Sequence, residues 1–150
     1  MKNVGDRTIS GRLIITSMTD RNVVRLERDG KRTIVADRYD GKRFNGPNDV
    51  VVKSDGAVYF TDTVFGMRGG ADSPARALPF NGFYLVKNGK ATLLGSDKDH
   101  PGEFPNGITL SPDEKVLYVT AGFGKPCDTT CCLTIQWPMG GCSSRQAMTE

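Results

Sequence analysis

The chain has 150 residues, about one domain of ordinary size, with 37% hydrophobic, 25% charged and 8% aromatic side chains. That is slightly apolar-poor for a globular protein, yet too regular in pattern for a disordered tail. The 20 Lys and Arg and 17 Asp and Glu, net +3, are interspersed without a basic stripe, which argues against a nucleic-acid partner.

No apolar run approaches the ~18 residues of a membrane span, so no membrane role is expected. The start, Met1 to Asp6, lacks the apolar core of a secretory signal. Either the protein stays inside the cell, cytoplasmic by default, or its true beginning is missing. Eighteen Gly and eight Pro point to frequent turns, and no window holds a sustained helical period. The fold class expected is all-β.

In chain order, the first clear element is a hairpin over residues 22–35, two strands around Asp29-Gly30. Asp-Gly between alternating runs predicts a type I′ turn. Next, Pro47-Asn48-Asp49 leads into Val50-Val51-Val52, and Val58-Tyr59-Phe60-Thr61-Asp62 reads as the return strand. Gly66 to Asp72 reads as a flexible surface insertion near a functional mouth. Residues 81–94 repeat the first hairpin around Asn88-Gly89, with Gly89 59 residues after Gly30. Pro105-Asn106-Gly107 repeats the earlier Pro-Asn at an offset of 58, and Val116 to Thr120 is aligned without a gap on Val58 to Asp62.

A repeat of this length with about four short strands is the signature of a β-propeller blade. One blade cannot bury both faces, so blades stack around an axis. The chain holds about two to two and a half such repeats, too few to close a ring. Residues 1–124 are therefore expected to form a partial propeller, with its unclosed faces and edges open to self-association. Residues 125–150 break the period and carry all four cysteines (Cys127, Cys131, Cys132, Cys142) and Trp137. They are expected to be an unrelated, disordered tail, of the kind a shifted reading frame or artificial truncation produces. Their cysteine spacing fits paired zinc knuckles poorly.

Asn48 and Asn106 are the candidate site. Equivalent loops of successive blades converge at one mouth of the channel, and amide oxygens suit a hard cation such as calcium. The alternative is that both are ordinary turn formers. His100, the only histidine, and Glu103 lie in or beside a polar turn before Asn106; a solvated loop is the simpler reading for the histidine. No Gly-x-Ser-x-Gly, Gly-x-x-x-x-Gly-Lys or His-Glu-x-x-His motif is present.

Arg43-Phe44-Asn45-Gly46-Pro47-Asn48-Asp49, Tyr59-Phe60-Thr61-Asp62 and Phe104-Pro105-Asn106-Gly107-Ile108-Thr109-Leu110-Ser111-Pro112-Asp113-Glu114-Lys115 together resemble the gluconolactonase, senescence-marker-protein and luciferin-regenerating-enzyme family. The resemblance covers roughly residues 8–124. It implies a six-bladed propeller with one divalent metal at the channel mouth, calcium ahead of zinc or magnesium, and hydrolysis of sugar lactones or similar esters.

On the same resemblance Asn106 is a metal ligand, and Asn48 is a ligand or a substrate contact. Asp49 is assigned to the substrate side and Asp62 to the metal side; for Asp62 the equal alternative is a turn carboxylate that caps a backbone amide. The family completes its metal site with a glutamate from the first blade and an aspartate from a later one; neither has a candidate here, and the catalytic base is unassigned. Impaired lactonase activity is therefore expected. The alternative function is a non-catalytic propeller segment that binds a sugar or a protein.

Overall fold

The computed structural model describes the backbone of residues 5–7, 11–99, 104–122 and 134–138, and the side chains of residues 11–99 and 104–120. Its strands are β1 (Gly5–Arg7), β2 (Leu13–Ser17), β3 (Asn22–Leu26), β4 (Arg32–Ala36), β5 (Arg38–Tyr39), β6 (Lys42–Arg43), β7 (Pro47–Val52), β8 (Val58–Asp62), β9 (Gly82–Lys87), β10 (Lys90–Ser96), β11 (Phe104–Leu110), β12 (Val116–Gly122) and β13 (Thr134–Pro138). Among the described residues the only helical turns are two short 3₁₀ turns, Val64–Gly66 and Gly70–Asp72. No helix there is long and apolar enough to cross a membrane.

Three antiparallel sheets follow one another: β1-β2-β3-β4, then β7-β8-β9-β10, then β11-β12-β13, with β5 and β6 as a small ribbon. Strands β1, β2 and β11 all contact β7, so the sheets stand side by side with their first strands inward. This is an open arc of consecutive propeller blades. It is the partial propeller expected, with β1 completing the first sheet and β13 a third strand of the last. Residues 134–138 pair with β12, which offers a ladder edge to the strand-favouring Thr134-Ile135-Gln136-Trp137; the rest of the tail lies outside the described residues. The four cysteines lie outside the described residues.

The middle sheet is buried on both faces, and β8 shows how. Side chains alternate across a strand. Val58 and Phe60 join Ile14, Val23, Phe44 and Tyr84 in a core against the first sheet. Ala57 and Tyr59 join Phe83, Ile108, Leu117 and Val119 in a core against the third. Every residue of β8 is buried. Aromatic rings reinforce the first core, with Phe44 edge-on to Phe60 at 4.9 Å and Phe60 stacked on Tyr84 at 5.3 Å.

Two details of the repeat differ from expectation. Asn88 and Gly89 both take positive φ (54° and 74°), the type I′ turn foreseen, but at Asp29-Gly30 only Gly30 does (81°). Gly30 N–H donates to the Glu27 carbonyl, and Glu27 N–H to Lys31, so that hairpin uses a longer turn closed by a left-handed glycine. Second, Val58 pairs with Val52, whereas Leu117, not Val116, pairs with Leu110. The β11–β12 turn carries one extra residue, so the ungapped alignment of β8 on β12 is one step out. Thr61 corresponds to Thr120, and Asp62 to Ala121.

Candidate functional site

The Pro-Asn loops open β7 and β11, the first strands of adjacent sheets, and each strand carries a register irregularity just there (Pro47/Val50 and Pro105/Ile108). The irregularity re-aims the side chain beside it. Asn48 and Asn106 consequently meet: Asn48 Nδ2 donates a short hydrogen bond to Asn106 Oδ1. Both are half-buried at the inner ends of their strands. Among the described residues Asn48 Oδ1 accepts no hydrogen bond.

Main-chain contacts hold each asparagine. Thr16 Oγ1 donates to the Asn48 carbonyl at 2.8 Å, and Thr61 Oγ1 to the Asn106 carbonyl at 2.6 Å. Asp49 N–H donates in turn to Thr61 Oγ1 at 3.1 Å, and Gly107 N–H to Thr120 Oγ1 at 2.9 Å. A Cβ on Gly107 would lie 2.9 Å from Thr120 Oγ1, which explains glycine after this asparagine.

Asp49 and Asn48, adjacent in sequence, do different things. Asp49 Oδ1 accepts from Val50 N–H and Oδ2 from Ile108 N–H, both at 2.9 Å, tying β7 to β11. The Asp49 carboxylate thereby braces the two loops. Asp62 takes the alternative role, a turn carboxylate that accepts from backbone amides. It is fully buried, with Oδ2 accepting from Asn45 N–H at 2.9 Å and Oδ1 from Gly46 N–H at 2.7 Å. Burial pushes its carboxyl up to about 7, against the opposing pull of those two amides and of Arg21. Alternation along β8 turns Asp62 toward the first sheet, the side opposite Thr61. It closes the Asn45-Gly46 turn and does not reach the asparagine pair.

Asn45 went unnoticed as a functional residue in the sequence. Its Nδ2 donates to the carbonyls of Leu78 and Phe80, both at 3.0 Å, while Oδ1 accepts from Ala77 (3.3 Å) and Leu78 (3.2 Å). All of its side-chain hydrogen-bonding capacity is spent stitching residues 77–80 beneath the mouth. The loop over residues 66–72, read as a flexible insertion, is built of successive turns: Met67 N–H donates to Val64, Gly70 to Met67 and Ser73 to Gly70. Just before it, Phe65 is 44% exposed and edge-on at 5.7 Å to Phe104, two residues before Asn106. His100 and Glu103 lie outside the described residues.

Among the described residues no three His, Cys, Asp or Glu side chains gather as a metal cluster. Among the described residues, what the mouth offers a cation is neutral amide oxygen from Asn48 and Asn106, hard donors of the kind calcium takes. These residues fit part of such a site.

Comparisons with known proteins give the family and the fold. A family model described as the SMP-30/gluconolactonase/LRE-like region matches residues 3–129. The chain is 42% identical over 91 residues to a gluconolactonase of Zymomonas mobilis, covering 60% of this chain and 24% of that one. It is 32% identical over 91 residues to the lactonohydrolase oryL of Aspergillus oryzae, covering 61% and 20%. A solved gluconolactonase of Xanthomonas campestris superposes with a TM-score of 0.72 at 28% identity, over 95% of this chain and 46% of its own. A second solved structure, at TM-score 0.72 and 23% identity over 96% and 47%, speaks for the fold alone. The chain thus spans about a quarter or less of the curated relatives and just under half of the solved structures.

Proposed function

The chain belongs to the SMP-30/gluconolactonase/LRE-like family, and we propose that its channel mouth serves metal-assisted hydrolysis of a sugar lactone or similar ester. The observation that carries this reading is the convergence of Asn48 and Asn106 from adjacent sheets. Asn106 would hold a divalent cation, calcium ahead of zinc or magnesium, with Asn48 as a second ligand or a contact to the substrate. A bound cation supplies Lewis-acid polarisation of the lactone carbonyl.

The chain's own residues position and exclude. Asp49, braced on Val50 and Ile108, keeps the two loops at a fixed separation. Phe65 and Phe104 offer an apolar wall to a ring's CH face. A general base must still take a proton from water, and among the described residues Asp49 and Asp62 are both engaged by backbone amides. Two neutral ligands also bind a divalent ion weakly, because its dehydration is offset best by carboxylates. Slow turnover is therefore part of the proposal.

Hydrolysis of glucono-δ-lactone in a pH-stat tests it. The expected result is a small, calcium-dependent rate above the uncatalysed one that Asn106→Ala removes. A rate indifferent to both calcium and Asn106 contradicts it. The engagement of Asp49 and Asp62 by backbone amides favours a second reading, a non-catalytic module. That reading expects no turnover at any cation concentration, and concentration-dependent assembly in sedimentation through faces such as the one bearing Ile34, which is 60% exposed.

A further inference from the structure

We propose that Thr16 and Thr61 are positioning residues of the asparagine pair, each clasping the backbone carbonyl of the asparagine presented by the following sheet. The inference rests on the reading of Asn48 and Asn106 as a binding site, but its test does not depend on a bound ion.

The argument is periodic. Thr16, Thr61 and Thr120 lie near the ends of β2, β8 and β12, the second strands of three successive sheets. Alternation turns Thr16 the same way as Ile14, toward the middle sheet, and Thr61 the same way as Tyr59, toward the third. Each hydroxyl then meets the next sheet's Pro-Asn loop: Thr16 donates to Asn48 O and Thr61 to Asn106 O. On its other side the hydroxyl serves its own sheet, since Thr61 accepts from Asp49 N–H and Thr120 from Gly107 N–H, the residues directly after the two asparagines.

Thr61 thus occupies both roles at once. It fixes the residue after Asn48 and the carbonyl of Asn106, and so sets the separation of the two side chains by a single oxygen. Thr16 and Thr61 are 1% and 0% exposed, so no water replaces a lost partner.

A matched control lies two residues on. Thr63 is also 0% exposed, and its Oγ1 has no hydrogen-bond partner. Loss of burial or packing from a Thr→Val change is the same at 61 and 63; only at 61 does the hydroxyl touch the asparagine loops.

The experiment compares Thr61→Val, Thr61→Ser, Thr16→Val and Thr63→Val in the ¹⁵N-labelled chain, reading the side-chain NH₂ resonances of Asn48 and Asn106 and a calcium titration. Thr61→Val is expected to shift both NH₂ pairs and to weaken calcium binding roughly tenfold, the usual effect of removing a group that orients a ligand. Thr16→Val is expected to move the Asn48 pair, Thr61→Ser to restore the parent spectrum, and Thr63→Val to leave it unchanged.

Folded Thr61→Val with parent NH₂ resonances overturns the proposal, as does an equal disturbance from Thr63→Val. Should Thr61→Val not fold, Thr16→Val set against Thr63→Val decides by the same resonances. If calcium moves no asparagine signal in any protein, the ligand reading fails, while the NH₂ shifts still decide the clasp.

Discussion

Asn48 and Asn106 stand 58 residues apart in sequence and on different sheets, yet the side-chain amide of one donates to the side-chain oxygen of the other. Nothing local produces that contact. It requires β7 and β11 to lie beside each other as first strands of adjacent blades, and requires both strands to be irregular at the residue concerned.

Asn45→Ala is expected to destabilise the protein by about 2–3 kcal/mol, since it removes four hydrogen bonds to residues 77–80, leaving the Phe80 carbonyl and the Ala77 and Leu78 amides without that partner while the Leu78 carbonyl keeps Arg76 Nε. Urea denaturation measures the loss, and amide exchange at Leu78 should rise first. A change within about 0.5 kcal/mol, the range of an ordinary surface substitution, would sink the claim that Asn45 organises this loop.

Asp62 gives the stability a pH dependence. Burial raises its folded-state carboxyl to about 7, above the ordinary 3.8. A raised acid binds its proton more tightly folded than unfolded, so the contribution is complete below about pH 4 and lost as pH rises toward 7. The shift corresponds to up to about 4 kcal/mol. Glu27, held down to about 2 by Arg25, Thr33 and Arg12, acts in the opposite sense and only below pH 4.5. Thermal midpoints are therefore expected to fall between pH 4.5 and 7 and then level off, with the slope reduced in Asp62→Asn. A midpoint that climbs over this interval speaks against the assignment.

Gly95 marks a close approach in the second core. A Cβ there would lie 2.6 and 2.7 Å from ring atoms of Phe83, which is buried between the middle and third sheets. Gly95→Ala is expected to cost about 1–3 kcal/mol by overpacking. Combined with Phe83→Leu, which makes room, the double variant should lose less than the sum of the single losses. Strict additivity in that cycle would contradict the clash.

The all-β class, the blade repeat and the two Pro-Asn loops were legible in the sequence because they are carried by local chemistry: Gly in left-handed turns, Pro before a strand, alternation over five residues. The shape of the Asp29-Gly30 turn was not, because Asp-Gly serves both a two-residue turn and the last positions of a longer one, and only the ladder register separates them. The threonine repeat was hidden by a single extra residue between Leu110 and Leu117. Aligned without that gap, Thr61 falls opposite Val119 and the correspondence with Thr120 disappears. Asp49 and Asp62 enter as site carboxylates only through the family resemblance. What each does depends on which backbone amides lie within reach after folding, and no spacing in the sequence encodes that. Asn45 carries no signal of its own; its partners are about 30 residues away.

Calcium titration by calorimetry into the parent, Asn106→Ala and Asn106→Asp is the most direct test of the asparagine pair as a cation site. Aspartate keeps an acceptor for the Asn48 amide and replaces a neutral donor by a charged one. The account predicts weak binding by the parent, none by Asn106→Ala, and binding roughly an order of magnitude tighter by Asn106→Asp. Equal affinity in all three, or the tightest binding in Asn106→Ala, would contradict it.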